Sequence, residues 1–409
     1  MEGNTAWILT SAALVLFMVP GLALFYGGMV RAKNALNMLN MNMWCLGIVP
    51  VVWVLLGWSL ASGESGRWWL GDLSVVGLKG VHDVEGLASF AFLMTFACIT
   101  PALISGAVAD RMKFSAWMVF VPIWSLVVYA PVVYWIYGAD GWIFNLPAHD
   151  FAGGTAIHVN AGAAALALAI VLGKRSGWPQ NRPAPHNVPF VMLGAGILWF
   201  GWFGFNAGSA LAANGVAAQA FVNTFLAAAA GMVAWMLVEL AKTGKASTIG
   251  MASGVVAALV AITPAAGFVG SMHSLVFGAL AGVICFYAIE AKFRLGFDDS
   301  LDVVGIHLVG GVVGGVLLGF MADSSAVPGG DFIDGVFFGG GVLLWNQILS
   351  IVAVASFSFV ATFVIAKVLD KVIGLRVSES TEMAGLDVSD HGEAAYVIDG
   401  GEAAYEIDG

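Results

Sequence analysis

Two aspartate–histidine pairs at equal spacing carry the chemistry in this chain: Asp150 with His158, and Asp299 with His307. Each histidine falls inside an apolar, small-residue-rich segment, eight residues after its aspartate. Ionisable groups at that depth are costly and usually face a cavity or mark a pathway. A neutral imidazole offers one donor and one acceptor and titrates near neutrality, which suits a small hydrogen-bonding substrate or a proton relay. Two blander readings stay open at this level. A lone intramembrane histidine also makes interhelical hydrogen bonds of about 1 kcal/mol, and an aspartate before a helix start also serves as its cap. No further ligands of metal type lie nearby, so neither a zinc site nor another cofactor is expected. Nor is there a nucleophile–base motif, so the chain does not read as an enzyme.

The elements that must hold these residues are transmembrane helices. Of 409 residues, 60% are hydrophobic and only 10% charged, against about 25% charged in soluble domains. Apolar runs of about 20 residues, enough to cross roughly 30 Å of hydrocarbon, lie near 6–30, 38–61, 86–109, 114–137, 152–173, 188–211, 216–241, 247–265, 271–290, 301–322 and 341–369. The expected fold is therefore all-α and polytopic, with eleven spans, of which 247–265 is the shortest and richest in Gly and Ala. With the N-terminus outside, fourteen of the 16 Lys and Arg fall in inner loops and the tail, leaving Arg67 and Lys79 outside. That bias follows the positive-inside rule and predicts an N-out, C-in topology. The stretch from Trp7 is already span-like and lacks a basic leader, so no cleaved signal peptide is expected. Cys45, Cys98 and Cys285 sit in apolar runs and imply no disulfide framework. The net charge of −10 gives no reason to expect a nucleic-acid partner.

Aligning the histidines exposes a repeat. Ile157-His158 matches Ile306-His307, Asp150 matches Asp299, and Gly162 matches Gly311. The glycine-rich runs Gly21–Gly28 and Gly201–Gly208 also correspond, with Phe25 opposite Phe205. Spans 1–5 therefore resemble spans 6–10. Five helices is an odd number, so the halves insert in opposite orientation, and such inverted repeats place a substrate path at their interface. Prolines 20, 50, 101, 122 and 131 are expected to kink their helices where neighbours satisfy the freed carbonyls.

With these motifs in order, the chain resembles the ammonium transporter (Amt/Mep/Rh) family, on its Amt branch, from about Trp7 into the tail. The carriers are Asp150-Phe151-Ala152-Gly153-Gly154…His158, Trp202-Phe203-Gly204-Phe205-Asn206-Ala207-Gly208-Ser209, Asp298-Asp299…Asp302…His307, Gly374-Leu375-Arg376-Val377 and Gly385-Leu386-Asp387…His391-Gly392-Glu393…Ala395-Tyr396. The resemblance implies that His158 and His307 are paired pore histidines and that Trp202 lines the pore. It implies that Phe96 and Phe205 block the outer mouth, with Phe92 one turn away, although each phenylalanine taken alone reads as packing. It makes Ser209 the hydroxyl of an external ammonium-recruitment site and Asp150 the aspartate beneath it. The family usually has a tryptophan at that site; counting from Pro131, this chain has Tyr137 there, with Trp135 and Trp142 off the count.

The activity so implied is recruitment of ammonium, its deprotonation, and passage of ammonia through a narrow pore past His158 and His307, which also offer the proton a relay. The alternative is an ammonium-sensing membrane receptor signalling through its tail. The resemblance further implies a plasma-membrane homotrimer, divided into a transport domain, 1–376, and a cytoplasmic tail, 377–409. That tail reads either as a solvated extension or as a docking element for a trimeric PII-class signalling protein. It ends in a near-duplicated nonapeptide, 392–400 and 401–409, for which there is no physical account.

Overall fold

The computed structural model describes residues 2–64, 66–180 and 183–396, and among these there are helices but no strands. Ten helices are long and apolar enough to cross a membrane: α1 (Glu2–Met29), α2 (Ala32–Ser62), α3 (Val84–Val108), α4 (Phe114–Tyr137), α5 (Gly154–Leu172), α6 (Val188–Gly208), α7 (Gly215–Thr243), α9 (Ser271–Leu295), α10 (Val304–Met321) and α11 (Gly341–Val372). Between α7 and α9 lies the shorter apolar α8 (Thr248–Ile262). Its 15 residues reach only about 22 Å at the helical rise. Every residue from Ala252 to Ile262 is buried by protein. A helix apolar on all sides belongs inside a bundle, and protein walls, unlike lipid, set no minimum length. Each apolar run read from the sequence falls on one of these helices.

Two ends differ from the sequence reading by five or six residues. Helix α2 begins at Ala32, and α9 continues to Leu295. The extension of α9 is charged, but Lys292 turns inward, donating to the Asp299 carbonyl at 2.6 Å and to Asp302 at 2.5 Å. Protein thus satisfies a turn that composition alone assigns to a loop.

The halves pack as the repeat requires. A side chain at Gly21 would meet the backbone of Leu198 at 3.3 Å, and one at Gly201 would meet Met18 at 2.2 Å. A side chain at Gly162 would strike Leu308 at 2.4 Å, and one at Gly311 would strike Val159 at 2.9 Å. Met18 is the repeat equivalent of Leu198, and Val159 of Leu308, so these are the same contacts with the halves exchanged. Glycine permits backbone approach between membrane helices that any larger residue would prevent.

Of the expected kinks, Pro20 and Pro101 sit inside continuous helices. Pro50 and Pro122 each precede a π-helical turn by three residues, at Trp53–Gly57 and Ser125–Tyr129. π-turns also hold both histidines, Gly154–Val159 and Val304–Leu308. Such one-turn widenings cluster at functional positions.

The basic loops gather on one face, which the charge rule assigns to the inside. Fully buried Arg111 donates to the carbonyls of Gly173 (3.0 Å) and Asp298 (2.6 Å) and to Ser300 (2.6 Å). Arg175 grips the Asp298 carboxylate with its guanidinium at 2.8 and 2.9 Å and with its backbone N–H at 2.8 Å. Burial works to raise the Asp298 carboxyl, but the Arg175 bonds and the Arg111 charge outweigh it and hold the group below its usual range.

Onto this face folds the tail, through α12 (Glu379–Ala384) and α13 (Leu386–His391). Asp387 accepts from the backbone N–H groups of Leu36 (3.1 Å) and Asn37 (2.8 Å), and Leu386 donates to Asn34 at 2.8 Å. Glu382 accepts from Arg376 at 2.7 Å and from the Ser176 N–H at 2.8 Å. Tyr396 meets His186 at 2.9 Å. The tail to residue 396 is therefore docked rather than solvated. The nonapeptide duplication falls largely on residues 397–409, outside the described residues.

Candidate functional site

On the face opposite the basic loops, a cavity of about 510 Å³ is lined by Ser89, Phe92, Phe96, Tyr137, Asp150 and Ser209, among others. Asp150 forms its floor without offering its carboxylate to a ligand. Its two oxygens accept the backbone N–H groups of Gly153 (3.0 Å), Gly154 (2.6 Å), Thr155 (2.8 Å) and Ala156 (2.9 Å). The loop can curl this way because Gly153 takes φ 108°, and a side chain there would lie 2.3 Å from Ile157. Burial pushes the Asp150 carboxyl up to about 6, with the four N–H bonds pulling against it. The cap reading and the site reading of this residue are one arrangement: the charge lies under the cavity while the backbone is held.

At the rim, Ser209 donates its hydroxyl hydrogen to the Phe205 carbonyl at 2.8 Å. A hydroxyl that has spent its proton keeps lone pairs for a cationic donor. Tyr137 lines the cavity. Trp135 instead donates to the Trp69 carbonyl at 2.8 Å and packs on Phe357 and Trp142, and neither tryptophan is among the lining residues.

Below, Phe96 stacks on Phe205 with centroids 4.3 Å apart and planes at 25°, and Phe92 meets Phe96 edge-on at 4.7 Å. Past this pair, only about 10 Å³ of space is lined by His158, His307, Trp202, Phe205 and apolar side chains from α1, α3, α6 and α8. Room on this scale holds about one water. Ile157 borders both the cavity and this constriction.

The histidines lie nearly parallel, at 17°, with Nδ1 atoms 3.1 Å apart. Two Nδ1 atoms at that distance share one proton, so one ring donates and the other accepts. The donor ring then keeps an Nε2 lone pair, and the acceptor ring must carry its hydrogen on Nε2. The pair thus presents one acceptor and one donor outward; which ring plays which part follows from proton placement, not from heavy-atom positions. Nε2 of His158 has no protein partner. Trp202 stacks on His158 at 5.5 Å and is itself fixed by donating to Thr263 at 2.9 Å.

The structure therefore brings Phe92, Phe96, Tyr137, Asp150, Ser209, Phe205, Trp202, His158 and His307 along one line. Asp299 matches Asp150 in place but not in bonding. Its Oδ2 accepts from Val304 at 2.7 Å, while its Oδ1 is buried without a partner. Sequence reasoning missed Thr263, Phe268 and His149, the last two of which line the cavity. For His149 the available signal was its place beside Asp150.

On the basic face a second cavity, of about 230 Å³, is lined by Asp110, Arg175, Glu290, Lys292, Ser300 and Asp302, among others. Each face thus carries a cavity of mixed lining, and a narrow space at the histidines lies beside the larger one.

Known proteins share this sequence and fold. The family model described as Ammonium Transporter Family matches residues 6–396. The chain is 49% identical to an "Ammonium transporter" of Mycobacterium tuberculosis, covering 96% of this chain and 90% of that protein. It is 46% identical to one of Bacillus subtilis, covering 96% and 98%. Among solved structures, Candida albicans Mep2 superposes with a TM-score of 0.89 at 37% identity, covering 97% of this chain and 90% of that one. A structure titled "Sensor Amt Protein" superposes equally well, at 0.89 over 95% and 98%, but at 27% identity. The chain belongs to the ammonium transporter family.

Proposed function

We propose that the protein carries ammonium across the plasma membrane by stripping its proton at the outer gate and passing ammonia between the two histidines. The observation that carries this reading is the sequence of environments along one line: a cavity of about 510 Å³ over a carboxylate, a stacked phenylalanine pair, and a constriction of about 10 Å³ at a histidine pair.

Ammonium has four N–H donors. Ser209 supplies an acceptor, and the faces of Phe92, Phe96 and Tyr137 supply cation–π attraction, up to about 2 kcal/mol per desolvated contact. Sodium and potassium cannot donate a hydrogen bond to the serine. Beyond the gate, a bare cation loses its hydration among apolar side chains, a cost of many kcal/mol, whereas neutral ammonia loses far less. The proton is therefore shed to water of the outer cavity before the gate. The histidine pair then receives ammonia with one acceptor and one donor and offers the proton a route of its own. Only a proton is exchanged and the substrate is otherwise unchanged, so the reading is of a transporter rather than an enzyme.

In this reading, residues 1–376 form the transport unit and 377–409 a regulatory tail. Exposed apolar side chains along α1, α7 and α9 are available to neighbouring copies in a homotrimer, and the docked tail to a PII-class partner. Transport is preferred to ammonium sensing because the relatives at 46–49% identity are named transporters, while the sensor lies at 27%.

The test is direct. Proteoliposomes holding the purified protein should give an ammonium-evoked current or internal alkalinisation that sodium and potassium do not evoke. Silence in both readouts overturns the proposal.

A further inference from the structure

His149 belongs to the outer cavity and has no part in the mechanism so far. It lines the same space as Tyr137, Asp150 and Ser209. Its main chain is clamped from α11: the His149 N–H donates to Gln347 Oε1 at 2.7 Å, and Gln347 Nε2 donates back to the His149 carbonyl at 2.7 Å. The ring lies flat on Phe268, with centroids 4.6 Å apart at 23°, and edge-on to Phe332 at 5.9 Å. Nε2 is buried and has no protein partner. A neutral ring carries one N–H and one lone pair, and no protein group meets Nε2. A second proton there would have no protein acceptor.

The surrounding charges are few. Asp150 follows it in the chain, and Tyr137 faces it across the cavity from α4. The turn carrying Phe268 and the stretch of α11 around Gln347 bring no titratable group. The loop bearing Phe332 carries Asp323, Asp331 and Asp334, of which Asp323 and Asp334 accept from Ser325 and Ser324 in local turns. Burial lowers the ring's affinity for a proton, and the nearby Ile333 main chain only partly offsets this.

We propose that His149 is a further determinant of ammonium recruitment: its neutral imidazole admits the cation, and its imidazolium competes with ammonium for the same cavity. The inference rests on the transport reading above. A proton from the outer solution adds one positive charge beside the recruitment site, in a cavity walled by apolar rings where screening is weak. Proton and ammonium then exclude one another, and the apparent KM rises as pH falls through the titration of His149, approaching tenfold per pH unit. Asp150, pushed up to about 6, also loses its charge as pH falls and weakens recruitment. Wild type therefore has two contributions to its acid limb, and a His149 variant has one.

The experiment measures the apparent KM of the ammonium-evoked current in proteoliposomes at equal pH on both sides, from pH 8 to pH 5, for wild type, His149→Gln and His149→Leu. Both variants keep the Gln347 clamp, which uses only main-chain atoms of residue 149, and either suffices should the other fail to fold. Each KM is taken relative to the same protein's value at pH 8. The expected result is a steeper rise in wild type than in the variants, the gap widening toward about tenfold per pH unit, with the saturating current separating much less than KM. Equal ratios in all three overturn the inference while leaving transport intact. Absence of current from wild type at every pH overturns the transport reading, and this inference with it.

Discussion

Asp150 spends both carboxylate oxygens on four backbone N–H groups, so in the proposed transport reading it acts on a cation through its field and through the loop it holds. Replacing it by alanine orphans all four donors, at about 1–3 kcal/mol for each that stays buried. Asp150→Ala should abolish ammonium current and lower the thermal midpoint. Asp150→Asn keeps an acceptor but no charge, and should recover midpoint more than current. Full current in a well-folded Asp150→Ala protein would remove the residue from the site. Tyr137 is the complementary case, a weaker π-face than tryptophan at a position that lines the cavity. Tyr137→Trp should lower the apparent KM by several-fold; no change would place recruitment elsewhere. The pairing of aspartate and histidine was legible in the sequence because ionisable groups are conspicuous in apolar runs. His149 was not, because its meaning comes from Phe268, Phe332 and Gln347, which converge on it from more than a hundred residues away.

Helices α1 and α6 meet at backbone distance. A side chain at Gly194 would lie 2.4 Å from the Phe25 nitrogen and 2.6 Å from the Gly21 carbonyl. Because these obstacles are main chain, they cannot rotate away, and Gly194→Val should cost more than the usual 1–3 kcal/mol of overpacking. The expected outcome is loss of monodisperse protein in detergent; a normal elution profile and current would show that the halves tolerate separation. Both π-turns carry one histidine of the facing pair, and changing His158 or His307 singly to leucine should alter the charge moved per ammonium or the selectivity against potassium. Unaltered values in both variants would reduce the pair to packing. Span positions were legible from the length and apolarity of each run. The π-turns were not, since the extra residue per turn is fixed by what the helix packs against rather than by local propensity.

The molecule as a whole is two exchanged halves with a tail folded across one face. The repeat was legible from paired histidines and glycines, while the tail's docking depends on contacts more than 300 residues apart in sequence. Asp387→Ala removes the acceptor for Leu36 and Asn37, about 1–3 kcal/mol of docking. It should expose the segment after Val377 to limited proteolysis, and unchanged resistance would mean that the remaining contacts suffice. The constriction at the histidines has a consequence for the cell that is separate from ammonium. A space of about 10 Å³ holds about one water, so no liquid column joins the two sides. An osmotic gradient therefore finds nothing to push, and vesicles carrying this protein should shrink in hypertonic sucrose no faster than bare lipid.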